Sequence, residues 1–264
     1  MTGIGLPALF AALVWWFMTG AILYLDGLPR WTFRWSFSAA SLLLVGVLYD
    51  LHASAADTSV QGAYTAFTCA VLAWGWLEMS FLMGFVTGPR KTACGAGCPG
   101  GWAHFVHATE AIIYNELATL AGGLTVLALT SGGANKVGLW TYLVLWSMRL
   151  SAKLNLFLGV PNRGESFLPE HLQYLAAFFR NRRMNLLFPV SIAGSTIVAV
   201  QLAQRCLAAD DPARVVGLAL VTSLLVLAIV EHWFMVLPIR VERLWSWAFR
   251  RLPAAPIVKP SSAV

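Results

Sequence analysis

The chain has 264 residues, of which 58% are hydrophobic and 11% are charged, whereas soluble domains carry roughly a quarter charged residues. A mean hydropathy of +0.69 excludes a water-soluble enzyme and a disordered chain. The net charge of +6 then reports topology, because Lys and Arg collect on the cytoplasmic side of membrane proteins, and nucleic acid is excluded as a partner. These quantities point to an all-α polytopic membrane protein of one domain, surrounded by membrane lipid. Twelve Trp, fifteen Phe and six Tyr suit two interfacial aromatic belts.

A bilayer core takes about 20 apolar residues per helix, and seven stretches are predicted to span it. They cover residues 6–25, 35–49, 64–86, 103–129, 139–158, 187–206 and 215–237. The first lacks a basic leader and a small-residue cleavage site, so it reads as a retained helix. Alternate loops hold 13 basic residues on one side and 3 on the other, with Arg149 and Lys153 inside the fifth span. That imbalance predicts a periplasmic N-terminus and a cytoplasmic C-terminus. Residues 1–251 would form the seven-helix domain, and the Pro- and Ser-containing residues 252–264 a disordered tail.

Between the fifth and sixth predicted spans lies a long cytoplasmic connection, residues 159–186. Leu168, Leu172, Leu175 and Phe179 fall on one helical face, followed by Arg180, Arg182 and Arg183. This predicts a helix at about 168–183, lying either on anionic headgroups or on the protein's own cytoplasmic face. In the loop before the fourth span, Cys94 and Cys98 flank Gly-Ala-Gly. Without further Cys or His beside them they read as plain reduced thiols, and no metal is assigned.

Ionisable groups within spans are costly and mark candidate sites. Glu78, Glu110, Glu116, Arg149, Lys153, Glu231 and His232 lie on four predicted spans, mostly about 7–15 Å from the cytoplasmic boundary at a rise of about 1.5 Å per residue. Arg149 and Lys153, four residues apart, share a face. The third, fourth, fifth and seventh spans are therefore expected around a polar centre. Three readings stay open. The groups form a structural salt-bridge network; or they bind a tetrapyrrole or lipid headgroup through His232 or His171 and the basic pair; or Glu78, Glu116, Glu231, His232 and His171 hold a metal such as iron or manganese. The ExxH pairs of soluble di-iron bundles are absent, as are the P-loop, Rossmann, HExxH and GxSxG motifs. His52 and His104 read as solvated. No internal repeat supports a transporter.

Several strings carry a resemblance. Residues 139–160 (LWTYLVLWSMRLSAKLNLFLGV), 167–175 (FLPEHLQYL), 184–189 (MNLLFP) and 231–238 (EHWFMVLP) resemble the PuhE family. So do Glu78 with Phe81-Leu82, Thr87-Gly88-Pro89 and Asn115-Glu116-Leu117-Ala118. These are photosynthetic-complex assembly proteins of purple phototrophic bacteria, and the match runs over residues 75–247. The Cys- and Gly-rich loop departs from the family pattern, as does Asn115, where the family suggests His. The resemblance implies a multi-pass protein of the bacterial inner (cytoplasmic or intracytoplasmic) membrane. Its partners would be reaction-centre or light-harvesting subunits and other assembly factors, and its ligand bacteriochlorophyll or a precursor. The expected site is Glu78, Glu116, Arg149, Lys153, Glu231 and His232, with His171 as a cytoplasmic lid. The rival reading is a membrane-embedded carboxylate/histidine metalloenzyme acting on bacteriochlorophyll intermediates.

Overall fold

The computed structural model describes residues 2–95 and 97–249. Among the described residues seven long α-helices follow one another: α1 (Thr2–Asp26), α2 (Phe33–Ala56), α3 (Val60–Leu82), α4 (Gly101–Thr130), α5 (Val137–Leu158), α6 (Leu187–Leu207) and α7 (Pro212–Phe234). No strand occurs among the described residues. Six of these helices are long and apolar enough to cross a membrane, so the chain is an all-α, multi-pass membrane protein. α5 has the same order of length but falls short in hydropathy, because Arg149, Lys153 and Asn155 interrupt it.

Two elements differ from the sequence reading. α2 runs for 24 residues, well past the expected end at Tyr49, since a helix continues through Asp50 and His52 wherever backbone bonding allows it. The connection after α5 is helical only as 3-10 turns at Glu165–Phe167 and Glu170–Phe178, not over 168–183. Leu172, Leu175 and Phe178 are buried against Phe81 and Ala111, so this segment packs on the protein. The tail expected to be disordered, residues 252–264, lies outside the described residues.

α3 is the central helix. It touches α1, α2, α4, α5 and α7, and Gly62, Ala63, Ala66, Cys69, Ala70, Ala73, Gly75 and Ser80 are buried on it between larger side chains such as Phe67, Trp74 and Phe81. Small side chains let helix backbones approach closely where lipid tails offer no hydrophobic drive for association. The outer helices show the converse. Leu6, Leu9, Leu13 and Phe17 on α1, and Leu117, Leu120, Leu124 and Leu127 on α4, remain exposed. Such stripes would drive aggregation in water but match a hydrocarbon solvent.

The long connection acts as a clasp. A helix end leaves four carbonyls without intrahelical partners, and side chains of the connection meet three such ends. His171 Nε2 donates to the Leu82 carbonyl of α3 at 2.8 Å, Asn185 Nδ2 to the Asn155 carbonyl of α5 at 3.2 Å, and Asn162 Nδ2 to the Phe234 carbonyl of α7 at 2.8 Å. Asn185 Oδ1 also accepts from the Leu187 and Phe188 amides that open α6. α3, α5 and α7 therefore finish on one side of the bundle. At the opposite side Asp211 caps α7 by accepting from the Arg214 amide at 2.8 Å, with Pro212 following. Asp211→Ala is expected to lower stability by about 1 kcal/mol, measured as thermal unfolding in detergent. A loss below about 0.3 kcal/mol would mean that solvent replaces this cap.

Candidate functional site

Between α1, α3, α4, α5 and α7, bordered by parts of the long connection and the turn at Val241–Trp245, lies a cavity of about 650 Å³. Its wall is mostly apolar, with Trp15, Trp74, Phe81, Phe105, Phe157 and Trp245 among the contributors. Six of the seven candidate site residues line it: Glu78, Glu116, Arg149, Lys153, Glu231 and His232. The expected ring of four helices is joined by α1, which brings Trp15, Met18 and Ile22.

The polar groups are arranged as pairs. Arg149 meets Glu78 at 2.7 Å, across α5 and α3. Lys153 Nζ lies 2.6 Å from Glu116 Oε1 and 2.9 Å from Asn115 Oδ1, both on α4, and sits over the Phe81 ring. Each carboxylate of these two pairs is thus matched by a cation, as a low-dielectric interior demands. Glu110 points elsewhere and pairs with Arg90 at 3.0 Å. Glu231 accepts a hydrogen bond from the Trp15 indole at 3.0 Å.

His232 is 2% exposed, and both its nitrogens are engaged. Nδ1 lies 2.9 Å from the Ala228 carbonyl oxygen, so it carries the proton, and Nε2 faces the Ser151 hydroxyl at 2.9 Å. Ser151 also lies 2.9 Å from the Ser191 hydroxyl of α6. His232 therefore ties α7 to α5 and α6, and would need to exchange its Ser151 contact before it could ligate anything. Arg149 Nε, by contrast, is buried without a hydrogen-bond partner, while Nη2 of the same guanidinium holds Glu78.

His171 lies outside the cavity lining, away from the lid position expected of it. Its ring stands beside Phe33 with centroids 6.0 Å apart and covers Gly84. Gly84 has φ +80°, and a Cβ there would come within 3.0 Å of the imidazole, so only glycine fits both the backbone and the ring. Partial burial pushes the His171 pKa below its ordinary value. The neutral ring donating to Leu82 makes it a fastener of the clasp.

Sequence reading missed three features. α5 has a second polar face: Ser151 and Asn155 stand about 200° around from Arg149 and Lys153 at about 100° per residue, and Asn155 bonds the Ser151 carbonyl at 2.9 Å. Their spacing of four was the available signal. Trp15 gave no signal beyond its type. The third feature is the Cys loop. Folding brings His107 Nδ1 to 3.2 Å from Cys94 Sγ and 3.7 Å from Cys98 Sγ. The thiols read as plain thus have a histidine beside them after all. The hydrogen bond between the two sulfurs holds the Cys98 thiol below its ordinary range and raises that of Cys94. His104, expected to be solvated, stacks on Phe157 and lies tilted against Phe178.

The family profile described as a protein of unknown function, DUF3623, matches residues 1–255. A Rhodobacter capsulatus protein, described as an uncharacterized 30.4 kDa protein in the puhA 5′ region, is 39% identical over 261 residues, covering 97% of this chain and 95% of that protein. No solved structure matches the chain. With a profile and a relative that each cover nearly its full length, the chain belongs to the DUF3623 family.

Proposed function

We propose that this protein aids assembly of photosynthetic complexes by holding bacteriochlorophyll or a precursor in the cavity between α1, α3, α4, α5 and α7. The observation that carries the reading is the cavity itself. Its 650 Å³ falls within the range of about 300–1,000 Å³ typical of small-molecule sites. Its aromatic and aliphatic wall suits a macrocycle, and the guanidinium of Arg149, which lines the cavity, suits a carboxylate or carbonyl on the ligand. The gene context of the relative, in the puhA 5′ region, and the resemblance to the PuhE family support the same assignment. Reaction-centre or light-harvesting subunits are then the receiving partners.

In this reading all seven helices span the inner membrane, α5 included, because its polar side chains face α3, α4, α6 and α7 instead of lipid. The N-terminus lies in the periplasm. The clasp, with Arg163, Arg180, Arg182 and Arg183, lies on the cytoplasmic side, as the distribution of basic residues favours. A carboxylate-ligated metal enzyme is the less supported reading. Glu78 and Glu116 are each neutralised by a cation, which leaves little charge to attract a metal.

The test is the absorption spectrum of full-length protein purified in mild detergent from a phototrophic host. A co-purifying tetrapyrrole is expected. Arg149→Gln should weaken its retention about tenfold or more, the loss of one charge-assisted hydrogen bond. Ala152→Trp, which fills the cavity from α5, should abolish retention while the protein still accumulates. Pigment-free wild type, or full retention in the filled variant, would refute the proposal.

A further inference from the structure

The loop between α3 and α4 brings together a second group of chemically capable side chains, separate from the central cavity. Cys94 and Cys98 come from the loop, and His107 from the second turn of α4. Their ligating atoms all lie within 4.8 Å of one another. The Cys98 amide donates to the Gly95 carbonyl at 3.0 Å, a turn that folds the chain back so that both sulfurs face the same imidazole.

We infer that Cys94, Cys98 and His107 form a binding site for a soft divalent cation, zinc foremost, which clips this loop to the start of α4. The geometry fits. Tetrahedral zinc with Zn–S of about 2.3 Å and Zn–N of about 2.0 Å places sulfur and nitrogen about 3.5 Å apart along an edge. The sulfur-to-Nδ1 distances are 3.2 and 3.7 Å. Two thiolates and an imidazole select zinc over magnesium, calcium or manganese, whose preferred ligands are oxygens. All three side chains are partly accessible, which leaves the cation a route in. A fourth ligand is at hand: His104 Nδ1 lies 3.8 Å from Cys98 Sγ, and a small movement of that ring, or a water molecule, completes the tetrahedron.

The site has a structural consequence. Between Gly84 and Gly101 the chain has no helix or strand among its described residues, so few backbone bonds hold it. Metal binding contributes directly to folding where a segment cannot order itself. The clipped turns of α4 carry Phe105, Ala108 and Thr109, which line the central cavity. The cation therefore fixes one wall of that cavity without touching its contents. This inference is independent of what the cavity binds.

The deciding measurement is metal analysis of full-length protein purified anaerobically in detergent without chelator. Roughly one zinc per chain is expected. Cys94→Ser and Cys98→Ser should lose it at least tenfold, whereas Cys69→Ser and Cys206→Ser, on α3 and α6, should keep it. Cobalt added to the metal-stripped wild type should produce thiolate-to-cobalt charge-transfer absorption. Two cysteines should resist N-ethylmaleimide when zinc is present and react once it is chelated, a readout that stands even if the serine variants fail to fold. Wild type that takes up neither zinc nor cobalt would overturn the inference. So would metal retained in both serine variants, or a Cys94–Cys98 disulfide in the anaerobic preparation.

Discussion

Lys153→Met is expected to destabilise the protein by about 3 kcal/mol, the lower end of the cost of breaking a buried ion pair by removing one partner. Methionine keeps the length and apolar stem of lysine, so packing over Phe81 survives. What is lost is the cation between Glu116 Oε1 and Asn115 Oδ1, and Glu116 is left as an uncompensated carboxylate. The lower end applies because the two side chains keep 18% and 24% exposure, which lets some solvent reach the orphaned group. Lys153→Met combined with Glu116→Gln should recover most of the loss, since the pair is then neutral on both sides. Thermal unfolding in detergent for the two singles and the double gives the coupling directly. A double variant no better than Lys153→Met would mean that the pair does not act as a unit. If the double variant is stable but fails to retain pigment, the pair contributes to the ligand site as well as to the fold.

Gly88→Ala is expected to cost about 3 kcal/mol, at the upper end of overpacking penalties, although Gly88 lies in a loop. A Cβ there would fall 2.0 Å from the Glu110 carbonyl oxygen and 2.8 Å from that of Ala111. These are backbone atoms of α4, so no rotamer change relieves the clash, and the loop must lift. Two contacts would go with it. The Asn115 amide donates to the Thr87 carbonyl at 3.0 Å, and Arg90 pairs with Glu110 at 3.0 Å. Because Asn115 also orients Lys153, the damage should reach the polar centre. Gly95→Ala in the same loop, where a Cβ meets open space, should cost little. Equal stability of these two variants would show that the loop does not dock tightly on α4.

The resemblance strings acquire physical reasons in this light. Thr87-Gly88-Pro89 holds the carbonyl and the bare Cα that let the loop lie on α4. Asn185, in MNLLFP, serves the end of α5 and the start of α6 at once. Glu231-His232 divides its work: the carboxylate meets α1 through Trp15, while the imidazole ties α7 to α5 and α6. The Arg and Lys of the fifth span each meet one carboxylate, from different helices.

Much of the protein is legible in its sequence. Apolar stretches long enough for a bilayer gave the helices, since hydrocarbon leaves the backbone no alternative to satisfying itself within the segment. Charges within those stretches marked the centre, because such residues are too costly to face lipid, and six of the seven chosen side chains meet in one cavity. Three things depended on the tertiary structure. The partner of each charge was set by helix rotation and tilt, which composition does not encode. The role of His171 depended on where the connection returned, and it returned to the end of α3. The group of Cys94, Cys98 and His107 emerged only when the loop folded back on α4: nine residues separate Cys98 from His107 along the chain, and only the path of the backbone between them decides whether a thiol and an imidazole meet.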